Sequence, residues 1–292
     1  MRISEIFKQK RAVLSFEVFP PKKDSAVSGV YSAIDALAEL SPDFISVTYG
    51  AGGSGAKTSA QIASFIKSKY GIEPLAHLTC VNSTRADIDA VLSILEENNI
   101  ENILALRGDY PKDTPHIEGD FTYADSLIAY LRENYDFGIS AACYPEGHPK
   151  SPNLETDIRH TKMKVDAGAS HLVSQLFFDN DNFYEYVDKV RRAGITVPIE
   201  AGIMPVVSKN NILRLVSLCG ATFPKKLSKM LSRYEHNPDA LFDAGIAYAT
   251  EQIADLLTNS VHGIHLYTMN NPLIAERING NVRRIINSIN NE

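Results

Sequence analysis

The stretch LSFEVFPPK (14–22) decides how this chain folds. Leu14, Phe16, Val18 and Phe19 read as a buried strand, and Pro20-Pro21 stops it, because proline lacks an N–H and fixes φ. Glu17 interrupts the apolar run. A carboxylate there loses hydration and must find partners or bind a proton. Alternation along the strand puts Ser15 and Glu17 on one face and Leu14, Phe16 and Val18 on the other. On these residues alone, a structural ion pair and a functional acid are equal explanations of Glu17.

Runs of the same kind recur along the chain, each bounded by Gly, Pro, Asn or Asp. VLSFEVF (13–19) is followed by FISVTYG (44–50), PLAHLTC (74–80), NILALRG (102–108), ISAACYP (139–145), HLVSQLFF (171–178), VPIEAGI (197–203) and GIHLYTM (263–269). Helical stripes separate them. Val27, Val30, Ile34, Leu37 and Leu40 form one stripe. Ile88, Val91, Leu92 and Leu95 form another, behind an N-cap at Ser83 or Thr84. Leu127, Ile128 and Leu131 form a third. Phe183, Val187 and Val190 precede Gly194, and Ile212, Leu215 and Val216 precede Gly220, both suited to helix C′ positions. The interval 204–262 holds at least two helices, and 272–287 reads as a closing helix.

Alternating strands and helices imply parallel strands with crossover helices. Eight units predict an α/β fold, a (β/α)8 TIM barrel, as a single catalytic domain over 1–292 with extra helices between strands seven and eight. One rival is a dinucleotide fold, because Gly50, Gly52 and Gly55 match G-x-G-x-x-G after a strand. The match follows the second strand rather than the first. Its candidate ribose acid, Glu73, precedes the third strand rather than ending it.

The remaining composition is ordinary for a globular chain: 292 residues, 44% hydrophobic, 22% charged. A net charge of −6 argues against nucleic acid and anionic membranes as partners. The N-terminal stretch lacks a signal-peptide core, and no apolar run approaches membrane-spanning length. Cys80, Cys143 and Cys219 lie far apart without a CxxC, so neither local zinc binding nor a disulfide framework is expected. A reduced, cytoplasmic protein that binds no metal is the expectation.

In such a barrel the active site gathers at the carboxyl ends of the strands. Polar residues collect there: Glu17, Thr48-Tyr49, His77 and Thr79, Arg107-Gly108-Asp109, Tyr144 to Glu146 with His148, Gln175, and His265 with Tyr267. Taken singly, Arg107 and Asp109 read as a structural pair and His77 as a core histidine. Taken together, they mark one end of seven strands. With one acid candidate, one separate carboxylate and several aromatics, the pattern suits a bound cofactor that carries the difficult chemistry. The residues alone lead as far as a barrel enzyme for a planar heterocycle.

The motifs LSFEVFPPK, FISVTYGAGGS, AHLTCVN, ILALRGDYP, AACYPEGHP, KVDAGASHLVSQLFFD and HLYTMNN resemble those of the methylenetetrahydrofolate reductases, in order and over nearly the whole chain. Ending after the barrel, the chain is similar to the bacterial form without a regulatory domain. The resemblance implies non-covalent FAD, reduced by NADH or NADPH in a ping-pong reaction that then converts 5,10-methylenetetrahydrofolate to 5-methyltetrahydrofolate. It implies that Glu17 protonates N10, with a raised pKa, and that Asp109 stabilises the cationic iminium beside the flavin. It implies FAD contacts from Thr48, Tyr49, Ala51, His77, Arg107, Gly108, Asp109, Tyr110, Tyr123, Ala124, Tyr144, His148, Asp157, His160 and Lys164, the last near the pyrophosphate. Gln175 is implied at folate and nicotinamide in turn, with Tyr267 and Asn271 on the substrate. Asn271 stands where some members carry an arginine near the folate tail, and His160 and Met163 also depart from a common pattern. The family further offers an alternative in which a flavin- or pterin-binding subunit takes electrons from a partner protein. A homo-oligomer follows from family analogy alone.

Overall fold

The computed structural model describes residues 1–21, 27–49, 53–109 and 119–292. Eight parallel strands close on themselves in sequence order. They are β1 (Val13–Val18), β2 (Phe44–Val47), β3 (Glu73–Thr79), β4 (Asn102–Leu106), β5 (Gly138–Cys143), β6 (His171–Ser174), β7 (Ile199–Ile203) and β8 (Gly263–Tyr267). Closure is made by β8 against β1, with Ser15 opposite His265 and Glu17 opposite Tyr267. The expected (β/α)8 barrel is therefore the fold, and the dinucleotide alternative is excluded. Glu73 sits at the start of β3, where it binds the Met1 amino group and Lys67.

The strands are short versions of the apolar runs. Most hand their last residues to the loop that follows, so Thr48, Tyr49, Arg107, Gly108, Asp109, Tyr144 and Gln175 lie just beyond their strands. Parallel strands are buried on both faces, which is why they read as near-continuous apolar segments. On β1, Leu14, Phe16 and Val18 turn outward into the main core with Val30, Ile34 and Leu37. Those three lie on helix α2 (Val27–Glu39).

Helix α1 (Ile3–Gln9), which carries too few residues for a clear stripe, closes the amino end. Its Ile3 and Ile6 form a small core with Val13, Phe44, Leu75, Leu104 and Val173. Asn102 fastens it, accepting from Ile3 N at 2.8 Å and donating to Met1 O at 2.9 Å. Helices α3 (Gly53–Tyr70), α4 (Arg85–Glu97), α5 (Ala124–Asn134), α6 (Leu154–Ala167) and α7 (Asn180–Arg192) are the successive crossovers. Thr84, one of the two expected caps, forms a capping box with Asp87 that satisfies two backbone donors at once. Gly194 (φ 79°) and Gly220 (φ 72°) take the left-handed conformation expected after helices.

Three helices, α8 (Lys209–Cys219), α9 (Lys225–Tyr234) and α10 (Pro238–Thr258), fill the long interval before β8, and α11 (Pro272–Asn290) ends the chain. A second core under α8 and α9, built on Leu176, Phe178, Met204, Ile212, Leu227 and Leu231, extends the barrel wall beyond β6 and β7.

Candidate active site

Glu17 points into the barrel mouth. Its Oε2 lies 3.6 Å from Nε2 of His77 on β3 and 3.6 Å from Nε2 of His265 on β8. Ser46 of β2 offers its hydroxyl at 3.5 Å. The inward face expected for Ser15 and Glu17 is thus present, and the carboxylate has two imidazoles as neighbours. Thr268 holds the strand end by donating its hydroxyl to the Glu17 carbonyl at 2.7 Å.

The electrostatics differ from the expectation of a raised Glu17 pKa. Burial pushes the carboxyl up, but hydrogen bonding from His265, the charges of protonated His77 and His265, and Ser46 outweigh it and hold it below its ordinary value. His77 is itself pushed down to about 4, chiefly by burial. It is neutral at physiological pH, so its charge acts on Glu17 only in acid. At neutral pH the balance turns on which nitrogen of His265 carries a proton.

Next to this carboxylate stands Tyr267, whose hydroxyl donates to Ser174 O at 2.8 Å. Gly202 on β7 makes the space: a Cβ there would meet Ser174 O at 2.3 Å and the Tyr267 hydroxyl at 2.8 Å. At the end of β4, Gly108 (φ 81°) passes so close to Thr79 that a Cβ would lie 2.9 Å from it. A side chain would be strained there in conformation and in space.

A cavity of about 410 Å³ opens over β4, β5 and α6, in the range of small-molecule sites. Eight of the residues expected at the cofactor line it: Arg107, Tyr123, Ala124, Tyr144, His148, Asp157, His160 and Lys164. Lys164 is half-buried and its ammonium donates to the Ala142 carbonyl; desolvation lowers its pKa. Asp157 is 4% exposed; its Oδ1 accepts from Ser151 at 2.9 Å, while its buried Oδ2 has no hydrogen-bond partner among the described residues. Tyr144 stacks edge-on against His148, with ring centroids 4.7 Å apart. Cations, an unpartnered acceptor and aromatic walls suit a ligand combining phosphate, hydroxyl and planar groups.

The other expected residues lie elsewhere. Thr48 and Tyr49 follow β2, half-buried, with the Thr48 carbonyl accepting from Ser59 at 2.9 Å. His77 belongs to the Glu17 cluster rather than to the cavity lining. Asp109 is 92% exposed, with Arg107 at 3.8 Å and Lys150 at 4.0 Å, a loose arrangement rather than a structural ion pair. Gln175 accepts from Leu176 N through its side-chain oxygen at 2.8 Å. Asn271 caps α11 and lines a smaller cavity with Met204, Asn211 and Met269, a lining that includes neither Glu17 nor any residue of the larger cavity. Ala51 and Tyr110 lie outside the described residues. Among the described residues, no three His, Cys, Asp or Glu side chains gather as metal ligands, and no helix is long and apolar enough to cross a membrane.

A family model for methylenetetrahydrofolate reductase matches residues 2–282. The chain belongs to the methylenetetrahydrofolate reductase family. The 5,10-methylenetetrahydrofolate reductase of Escherichia coli is 33% identical over 257 residues, covering 88% of this chain and 86% of the relative. That of Pectobacterium carotovorum is 33% identical over 262 residues, covering 90% and 87%. Methylenetetrahydrofolate reductase (NADH) 1 of Arabidopsis thaliana is 36% identical over 283 residues, 92% of this chain but 48% of the relative. The chain spans about half the length of its plant and yeast relatives. Among solved structures, a Clostridium thermocellum protein that binds two copies of 5-methyl-5,6,7,8-tetrahydrofolic acid superposes with a TM-score of 0.61 over 97% of this chain and 98% of its own. At 12% identity it speaks for the fold of this reductase-family chain alone.

Two buried groups at this site went unnoticed in the sequence. Glu200 on β7 and His171 on β6 lie inside the barrel, at 0% and 1% side-chain exposure, with Nε2 of His171 3.6 Å from Oε2 of Glu200. The signal for Glu200 was available: in VPIEAGI an acid interrupts an apolar run as Glu17 does in LSFEVF.

Proposed function

We propose that this chain is a flavin-dependent 5,10-methylenetetrahydrofolate reductase, using NADH or NADPH to form 5-methyltetrahydrofolate by a ping-pong mechanism. The single observation that carries the reading is a carboxylate, Glu17, in the barrel mouth between two imidazoles, in a chain of this family. When bound, FAD would supply the two-electron chemistry, accepting a hydride from the nicotinamide and passing one to the folate.

The chain's own residues would do the rest. Glu17 donates a proton to N10 of the folate, and the five-membered ring opens to a cationic iminium at N5. General acid help of this kind is worth about 10²–10⁴-fold. Asp109, exposed at the rim, would stabilise the iminium charge once substrate covers it. Gln175, whose side-chain oxygen already caps Leu176 N, keeps its NH2 for a ring carbonyl or amide of folate and nicotinamide in turn. Arg107 and Lys164 would meet the FAD pyrophosphate, and Asp157 would use its unpartnered Oδ2 on a ribose hydroxyl. Tyr123 and Tyr144 provide aromatic walls. Asn271 would reach only the outer end of a folate tail, through the smaller cavity.

Anaerobic half-reactions test this reading. The purified protein should carry FAD, be bleached by NADH or NADPH, and regain its flavin absorbance on adding 5,10-methylenetetrahydrofolate. A protein without flavin, or one whose reduced flavin ignores the folate, contradicts it. Bleaching by dithionite but by neither nicotinamide would point instead to an electron-donating partner subunit.

A further inference from the structure

TIM barrel interiors are packed mainly with branched apolar side chains. This one carries a continuous polar chain. Ser15 Oγ lies 2.7 Å from Oε1 of Glu200 and 2.6 Å from Nδ1 of His265. The other carboxylate oxygen of Glu200 faces His171, whose Nδ1 is 3.0 Å from Ser140 Oγ. At the far end, Nε2 of His265 faces Glu17 at 3.6 Å. The rings of Phe44 and Phe7 wall the two histidines off, with Phe44 stacked near His265 and Phe7 against His171. Three strands, β1, β8 and β7, therefore link Glu17 to an acid at the centre of the barrel, β6 and β5 extend the chain beyond it, and the proposed proton donation uses none of the groups beyond Glu17.

The donors and acceptors can be counted. A carboxylate only accepts, so Glu200 takes the Ser15 hydroxyl proton. With its own proton committed, Ser15 Oγ must accept from His265, which requires the proton on Nδ1. In the neutral ring that leaves Nε2 with a lone pair facing Glu17 at 3.6 Å, with the Ser46 hydroxyl beside both at 3.4 Å from Nε2. A lone pair there is satisfied by a protonated carboxyl and repelled by an ionised one. The largest downward pull on Glu17, the hydrogen bond from His265, needs an Nε2–H, and this tautomer removes it.

We propose that Glu200 is a positioning residue for proton donation by Glu17: through Ser15 it fixes the His265 proton on Nδ1 and leaves Nε2 to accept from a protonated Glu17. The proposal rests on the reading of Glu17 as the proton donor to folate. After Glu17 gives up its proton, the neutral ring and the new carboxylate are mismatched, so the pair regains one proton from solvent before the next turnover. The charged and titratable groups facing the chain are His77 from β3 and Tyr267 from β8 at Glu17, and His171 from β6 at Glu200, with His262 close enough to His171 to feel its charge.

The test is 15N NMR of His265 in histidine-labelled protein without cofactor or folate, paired with the pH dependence of the folate half-reaction. The wild type should show Nδ1–H and an unprotonated Nε2 above neutral pH. Glu200→Met, and independently Ser15→Ala should the first not fold, should return the ring to Nε2–H. The alkaline limb of the folate half-reaction should then move to lower pH by about one unit, a rate loss of about tenfold above it, with the nicotinamide half-reaction unmoved. An Nε2–H or imidazolium form in the wild type, an unchanged tautomer in the variants, or a changed tautomer with an unmoved limb overturns the proposal. The tautomer is read without folate, so a wild-type protein inert toward folate would instead overturn the reading of Glu17 itself.

Discussion

The hydroxyl of Tyr267 donates to the carbonyl of Ser174 across 2.8 Å, spanning the strand between them. That intervening strand contributes Gly202, whose N–H donates to Ser174 Oγ at 2.8 Å. Three strands are thereby locked at the level of Glu17. Gly202→Ala would push a methyl into a backbone oxygen and into the tyrosine hydroxyl, neither of which can give way cheaply. The variant should lose about 1–3 kcal/mol of stability, the usual cost of overpacking. Urea unfolding checks this, and an unchanged midpoint would show that the barrel relaxes freely here.

His77 predicts a pH effect. Burial holds its pKa at about 4 against an ordinary 6.5, so the folded protein resists a proton that the unfolded chain accepts. The stability this contributes is fully present above 6.5 and is lost as pH falls toward 4. At about 1.4 kcal/mol per pH unit the loss is on the order of 3 kcal/mol. Unfolding free energy measured from pH 7 to 4.5 should fall less steeply in His77→Gln than in the wild type. Equal slopes would contradict the assignment.

Lys164 predicts cofactor affinity. Its half-buried ammonium donates to the Ala142 carbonyl and has donors left for an anion in the large cavity. Hydrogen bonds to charged groups contribute about 1.5–3 kcal/mol. Lys164→Met should therefore weaken FAD binding by about 10- to 100-fold, measured by quenching of flavin fluorescence. Unchanged affinity would move the pyrophosphate elsewhere.

Much of this architecture was legible in the sequence, for a physical reason. Strands buried on both faces must be apolar throughout, so each of the eight announces itself. Their ends were less legible. FISVTYG was expected to run to 50, but β2 stops at Val47, beyond which Thr48 N–H still reaches the Val18 carbonyl and Tyr49 packs against the core. Helix α1 was hidden by its length, since seven residues hold barely two turns of amphipathic pattern. The cavity-lining residues were legible through motif resemblance, and eight of them do converge. Glu200 and His171 were missed because attention to strand ends passes over strand interiors, and their pairing needs the barrel to close. The protonation of Glu17 was not legible either, because it depends on His265 and Ser15, which meet only across the closing seam between β1 and β8.

The central claim is that Glu17 is the acid of the folate half-reaction and takes no part in flavin reduction. Glu17→Gln keeps the size and a hydrogen-bonding group but has no proton to give. Stopped-flow mixing should find the variant bleached by NADH or NADPH at close to the wild-type rate. Reoxidation of its reduced flavin by 5,10-methylenetetrahydrofolate should be slower by at least about 100-fold. Reoxidation at the wild-type rate would contradict the account.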